Sequence, residues 1–186
     1  MKKRTTIRIS AFLLCLCCAF FTSCKEDDGK GYVFGYDISS NPGSLDPQYA
    51  SDRESYLIIG SVFEGLFRIG ADGNAEKAMA ESYTVSDDGL TYNFKLKQDR
   101  YWTDVNGYNK KVTAADFVFG FRRLFLPETR APKASEYFCI KNSDKINSGE
   151  ITDLSQLGVT AQGDYSLTIE LQYTEPSFAM LSLIHI

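Results

Sequence analysis

The sequence lacks the residue sets from which most catalytic and metal sites are built. Its 186 residues contain one histidine, His185, the second residue from the C-terminus. A Ser-His-Asp or Cys-His arrangement therefore has no internal histidine to act as a base. Metal-ligand spacings such as CxxC with HxxxH are absent, as are the phosphate loops GxGxxG and GxxxxGK[ST]. These absences favour a binding protein over an enzyme, and they predict no cofactor.

Cysteine is scarce outside one N-terminal segment. Three of the five cysteines lie in the apolar run of residues 9–21, which leaves Cys24 and Cys139. Two cysteines do not make the framework of several disulfides that staples small secreted domains. Cys139 has apolar neighbours on both sides, which predicts a buried, small apolar residue.

Positive charge is in short supply. The net charge is −4, and without residues 1–23 it becomes −8, from 16 Lys and Arg against 24 Asp and Glu. This sign argues against a nucleic-acid partner. A hydrophobic content of 44% with 24% charged residues predicts a folded chain with a core.

The N-terminus has the pattern of a secretory signal. Basic residues at positions 2–8 precede the apolar run of residues 9–21, which is too short to favour a membrane-spanning helix. Thr22-Ser23-Cys24 follows and resembles the lipobox of bacterial lipoproteins, which implies a signal peptide over residues 1–23 and a lipidated Cys24. Residues 24–31 then form a flexible tether. Phe21 stands where that motif usually has Leu, so ordinary signal cleavage or an uncleaved anchor stays open.

The stretch 43–66 places an extended, Pro-containing segment before a helix. Ser51, Asp52 or Ser55 is placed to cap the helix, and Gly65 is placed to end it. Loops that precede a buried helix often carry functional groups, although a plain connection between two core elements is the alternative.

Two further segments predict a mixed α and β core. Alternation of apolar and polar residues over 92–96 and 165–172 predicts strands, with Thr168 among the outward residues. Thr113 is placed to cap a helix over residues 114–124, with Asp116 in its first turn. We expect Trp102 to share one buried core with the apolar faces of these elements.

Six collinear stretches between residues 44 and 183 resemble the peptide and nickel class (family 5) of extracytoplasmic solute-binding proteins, the oligopeptide-binding lipoproteins of ABC transporters. They are SLDPQYASDRES, VFEGLFR, AESYTVSDDGLTYNFKLKQDRYW, VTAADFVFGFRRL, LGVTAQGDYSLTIEL and EPSFAML.

This resemblance implies an α/β, periplasmic-binding-protein-like type II fold. Residues 32–67 would begin the main lobe, and residues 68–186 would form an inserted α+β subdomain. The second lobe would lie beyond residue 186, so we expect a truncated chain that does not bind ligand by itself.

The resemblance also implies a function and a site. The protein would be the substrate-binding component of an ABC importer and not an enzyme, and it would capture oligopeptides outside the cytoplasm, at the cell surface or in the periplasm. Its partners would be the permease subunits and the membrane, through a lipid anchor. In peptide-binding relatives the segment after the DP pair lies along the ligand, which points to Ser51, Asp52 and Arg53. Lys133 stands where relatives often have a Tyr near the ligand.

Other functions remain open from the sequence. The same scaffold could serve nickel, haem or a sugar, since fold does not determine ligand. An extracellular hydrolase, or a surface sensor or adhesin that reuses the fold, are the alternatives from other classes.

Lipidation is the first testable prediction. A fatty-acid probe should label the protein in its bacterial host and should not label Cys24→Ala, because the thiol of Cys24 is the predicted attachment point. Equal labelling of the two proteins would contradict the prediction.

Overall fold

The computed structural model describes residues 35–178. The predicted signal peptide, Cys24, the tether and residues 32–34 lie outside the described residues, as do residues 179–186. The contacts divide the chain into two units, Met1–Asp37 and Ile38–Ile186, and all of the elements below belong to the second unit. The predicted boundary between residues 67 and 68 stays a prediction.

The described residues form three helices and eight short strands, six of which follow one another between the first two helices. The helices are α1 (Arg53–Val62), α2 (Ala114–Phe125) and α3 (Ser143–Asn147), with 3-10 turns at Ala134–Tyr137 and Leu154–Gln156. The strands are β1 (Phe67–Ile69), β2 (Ala75–Lys77), β3 (Ala80–Val85), β4 (Thr91–Leu96), β5 (Tyr101–Thr103), β6 (Asn109–Lys111), β7 (Val159–Ala161) and β8 (Ser166–Glu170).

A four-stranded antiparallel sheet forms the centre of the unit, in the order β3-β4-β8-β7. An Asp-Gly turn, Asp88-Gly89, joins β3 and β4. Gly89 takes a φ of 72°, which favours glycine, and the Asp88 carboxylate accepts the N–H of Leu90 at 2.9 Å. The pairs β1-β2 and β5-β6 form two separate two-stranded ribbons.

The core lies between this sheet and helix α2. The alternation predicted for β4 is confirmed, since Tyr92, Phe94 and Leu96 are all buried. Helix α2 turns its own apolar face to the same cluster, in which Phe117 and Phe121 are each 3% exposed. Cys139 belongs to the cluster too, and burial raises the pKa of its thiol to about 11.

The predicted start of α2 is also confirmed. The Asp116 carboxylate accepts the N–H of Thr113 at 2.7 Å and its hydroxyl at 2.9 Å. This contact closes the first turn and places a negative charge at the positive end of the helix.

Three expectations about individual residues need correction. Thr168 was expected to face solvent but is buried, because β8 is an inner strand and the Thr168 hydroxyl donates to Asn93 Oδ1 at 2.8 Å. Trp102 is only partly buried, because it lies on the small β5-β6 ribbon at the margin of the core. Helix α1 ends at Val62 and not at Gly65, since the next residue, Phe63, already has extended backbone angles.

The buried face of α2 allows a matched test of the core. In the chain from residue 25 onward, Phe121→Ala should lower the free energy of unfolding by about 3–5 kcal/mol, because it removes a ring from a packed interior. Phe119→Ala, on the same helix but with its side chain 70% exposed, should change it by less than about 0.5 kcal/mol. Denaturant titration measures both values, and similar losses from the two variants would contradict the assigned helix face.

Candidate functional site

Residues 44–53, here called the DP segment, form a compact turn before helix α1. The main-chain carbonyl of Asp46 accepts the N–H groups of Tyr49 and Ala50, at 3.0 and 3.1 Å. The Asp46 carboxylate accepts the N–H of Gln48 at 3.0 Å, and Ser44 Oγ accepts the N–H of Asp46. The segment therefore holds its own shape through local hydrogen bonds.

An ion pair fastens the DP segment to helix α2. Arg123 donates from Nη1 to Asp46 Oδ1 at 3.0 Å and from Nη2 to Oδ2 at 2.5 Å, in the bidentate geometry that favours Arg. Each side chain is about one third exposed. The hydrogen bonds from Arg123 lower the pKa of Asp46, and the same contact raises the pKa of Arg123.

Two further contacts support this ion pair. Gln48 Nε2 donates to the carbonyl of Gly120 at 2.7 Å. The guanidinium of Arg123 also lies 5.6 Å from the ring centroid of Tyr49, which is within cation-π range. Three residues of the DP segment thus contact one side of α2, more than 70 residues further along the chain.

Asp52 caps helix α1. Its carboxylate accepts the N–H of Ser55 at 2.8 Å, the Ser55 hydroxyl at 2.7 Å and the N–H of Gly43 at 3.1 Å. These hydrogen bonds lower the pKa of Asp52, and the bond from the Ser55 hydroxyl has the largest effect. Of the three candidate caps, the structure selects Asp52, and its side chain is therefore occupied in holding the helix start.

The predicted ligand residues Ser51 and Arg53 flank this cap, and both are exposed. Their main-chain N–H groups make no hydrogen bond with any described residue. For Arg53 this is expected, because the first N–H groups of a helix have no partner within it.

Lys133 lies next to α1. Its Nζ is 4.4 Å from the ring centroid of Tyr56, and the Tyr56 hydroxyl donates to the carbonyl of Ala50 at 2.6 Å. Tyr56 therefore links Lys133 to Ala50, the residue before the predicted ligand segment Ser51–Arg53.

A cavity of about 470 Å³ lies on the other side of the DP segment, against the exposed face of α2. Its lining is mostly apolar and comprises Leu45, Asp46, Pro47, Gln48, Phe63, Trp102, Asp116, Phe119, Gly120 and Arg123. Ser51, Asp52, Arg53 and Lys133 do not line it. Its charged members, Asp46, Asp116 and Arg123, already have protein partners. Gln48 Oε1 is a buried acceptor without a partner among the described residues. The cavity therefore offers mainly apolar contact, with one unused acceptor on its lining residue Gln48.

Residues 35–178 hold no cluster of three or more His, Cys, Asp or Glu side chains that could bind a metal ion. Among the helices of these residues, none is both long and apolar enough to cross a membrane.

Sequence reasoning missed Arg123, Gln48 and Tyr56, which position the site. Asp46 was visible as part of the DP pair. Its partner was not, because Arg123 reads from the sequence as an ordinary basic residue near the end of a helix.

Comparison with known proteins assigns the family. A profile described as "Bacterial extracellular solute-binding proteins, family 5 Middle" matches residues 74–186, more than half of the chain. The chain belongs to this family. A dipeptide-binding protein of Lactococcus lactis subsp. cremoris is 35% identical over 95% of the chain. The oligopeptide-binding protein OppA of Bacillus subtilis is 32% identical over 100% of the chain. The chain spans 30% and 34% of these two relatives.

Solved structures agree with the family 5 assignment. The substrate-binding domain of an oligopeptide ABC transporter from Bacillus anthracis matches 75% of the chain with a TM-score of 0.70 and 40% identity. Peptide-bound OppA of Listeria monocytogenes matches 78% with a TM-score of 0.73 and 31% identity. The chain covers 26% and 28% of these structures, so this family 5 protein has the mixed α/β fold of one part of an OppA-type binding protein.

The ion pair predicts a pH-dependent contribution to stability. A carboxylate whose pKa is lowered by folding stabilises the protein above the unfolded pKa of about 3.9, and this contribution is lost as the pH falls through the folded pKa. At pH 7, Asp46→Asn should lower the free energy of unfolding by about 1 kcal/mol, a small value because the pair is partly solvated. The deficit should shrink as the pH falls below about 4.

The double variant Asp46→Asn with Arg123→Met provides the control. If the pair interacts as described, the sum of the losses of unfolding free energy in Asp46→Asn and in Arg123→Met will exceed the loss in the double variant. Strictly additive losses, or a deficit that does not change between pH 7 and pH 3, would contradict the assignment.

Proposed function

We propose that this chain is part of the substrate-binding protein of an ABC importer, and that the complete protein binds oligopeptides for uptake. The observation that carries the proposal is the segment Ser51–Arg53. Ser51 and Arg53 are exposed, and their main-chain N–H groups have no described partners. The segment is held in place by its own cap, Asp52, and by the ion pair of Asp46, which precedes it. A rigid main-chain edge with unused donors suits an extended peptide.

The proposed mode of binding is β-augmentation. The peptide main chain pairs with the main chain of Ser51–Arg53, while its side chains enter permissive pockets. This mode makes affinity depend on backbone groups of the protein and leaves the peptide sequence largely unrestricted. Closure of two lobes would then remove the peptide from water without any chemistry on it.

The relatives support this choice of ligand. One is named a dipeptide-binding protein, several are named oligopeptide-binding proteins, and one solved structure, OppA of Haemophilus influenzae, is described as a complex with the peptide RPPGFSPFR. A probable deoxycholate-binding periplasmic protein of Escherichia coli is also 34% identical over 80% of the chain. A different solute on the same scaffold is therefore the alternative that the experiment must separate.

The domain arrangement forms part of the proposal. In a type II binding-protein fold, residues 32–67 would contribute to the main lobe and residues 68–186 to an inserted subdomain, with the second lobe supplied by the rest of the complete gene product. Its location would be outside the cytoplasm, with Cys24 as a lipid anchor and the permease subunits as partners. Acyl chains on one residue would give firm anchoring only if more than one is attached.

Main-chain recognition can be tested at Arg53. Position 53 is the first residue of α1, where proline is well tolerated, and Asp52 before it has φ −115° and ψ 159°, as a residue before proline requires. In the complete gene product, Arg53→Pro should bind tetra-alanine about tenfold more weakly than Arg53→Ala, because only the proline variant also loses the N–H group. Isothermal calorimetry measures the difference.

Ser51→Ala is the side-chain control and should bind tetra-alanine within about twofold of the wild type. Asp52 is unsuitable for this comparison, because its carboxylate caps α1. Equal affinities of Arg53→Pro and Arg53→Ala would overturn the role of this N–H group. Wild-type protein that binds deoxycholate and no peptide would overturn the proposed ligand class.

A further inference from the structure

One cation, Lys133, contacts the ring of Tyr56, and a second, Arg53, lies one helical turn before Tyr56 on the same helix. Arg53 is three residues before Tyr56 on helix α1, a spacing that places both side chains on one face of a helix. Lys133 approaches the Tyr56 ring from the 131–134 connection, with Nζ 4.4 Å from the ring centroid. Arg53 is exposed and Lys133 is half-buried. Both cations therefore belong to the surroundings of Tyr56, on a chain whose net charge is negative.

Neither cation has a carboxylate partner among the described residues. Every ion pair with an N···O distance of 4.0 Å or less within residues 35–178 involves other side chains. Glu54, the residue after Arg53, and Glu136, three residues after Lys133, do not come within this distance of Arg53 or Lys133.

The acidic residues of the DP segment do not pair with the two cations either. Asp46 is held by Arg123 and by the N–H of Gln48. Asp52 accepts three hydrogen bonds from Ser55 and Gly43. Each carboxylate already has its hydrogen-bond partners within the fold, and neither forms an ion pair with Arg53 or Lys133.

The geometry of Lys133 leaves part of its ammonium group available. An ammonium has three N–H donors, and the ring of Tyr56 attracts it from one side only. In open solvent water satisfies the remaining donors. In a cleft that closes over a ligand that water is lost, and a cation without a partner becomes costly unless the ligand provides an anion.

We propose that Lys133, assisted by Arg53, binds a carboxylate of the bound peptide. This inference rests on the proposed peptide-binding function. It narrows the preferred ligands to peptides that place a carboxylate beside Lys133. The carboxylate is either an acidic side chain or the C-terminus of the peptide, and both offer the same charge-assisted hydrogen bonds to an ammonium or a guanidinium. Lys133 acts as a specificity residue, while the main chain of Ser51–Arg53 provides recognition that does not depend on the peptide sequence.

The test uses the complete gene product and matched pairs of peptides. The probes are tetra-alanine, its C-terminal amide, and tetra-alanines with Glu or Gln at each position in turn. The wild type should bind at least one carboxylate-bearing peptide about tenfold more tightly than its neutral partner. Tighter binding of tetra-alanine than of its C-terminal amide would identify the C-terminal carboxylate as the bound group. Tighter binding of a Glu peptide than of its Gln partner would identify an acidic side chain.

The variants then assign the preference to Lys133. Lys133→Met should reduce that preference to within about twofold, while Lys133→Arg should keep it. Lys77→Met removes an exposed lysine from strand β2 and should leave it unchanged. Adding Arg53→Ala to Lys133→Met should remove any preference that remains. Melting temperatures of all variants check that the fold is retained.

The outcomes separate the two proposals. Wild-type protein that binds the charged and neutral peptides equally well would overturn the carboxylate assignment and leave peptide binding intact, and this result needs no variant. A preference that survives Lys133→Met with Arg53→Ala would overturn the assignment to these two residues. A wild type that binds none of the peptides would overturn the proposed function and this inference with it.

Discussion

The contact between Asp46 and Arg123 is the constraint on which the candidate site depends. It joins a loop without regular secondary structure to a helix whose other face is buried in the core. Both side chains keep about one third of their surface in water, so the pair avoids most of the desolvation cost of a buried ion pair. Its main effect is therefore positional, since it places the DP segment relative to α2 with the directionality of two parallel hydrogen bonds.

The rigidity of this arrangement comes from the core behind α2. Phe117 and Phe121 attach the helix to the four-stranded sheet, and the Thr113-Asp116 contact defines where the helix begins. A loop fastened to such a helix can present main-chain groups with little loss of entropy on binding. The site thus combines a stable scaffold with a short exposed segment. In many proteins a rigid core likewise positions the loops that carry the binding groups.

The acidic and the basic side chains of the candidate site have different roles. Asp46 and Asp52 are acidic residues of the loop, and both serve the fold, one through Arg123 and the other through the cap of α1. The cations Arg53 and Lys133 have no ion-pair partner within the described residues, and Lys133 lies over the ring of Tyr56. On a protein of negative net charge, two cations without an ion-pair partner favour a particular part of a ligand and do not attract anions in general.

The sequence by itself determined the local elements of this protein. The Asp-Gly turn before β4, the alternation of β4, the start of α2 and the burial of Cys139 all follow from residues within a few positions of one another. Only the tertiary structure decided that Thr168 is shielded inside the sheet and that Trp102 stays at the margin. It also decided that Arg123 reaches the DP segment and that Lys133 reaches Tyr56. The partners in these contacts are as much as 77 residues apart. Their meeting depends on strand order and helix packing, which local periodicity and capping patterns do not contain.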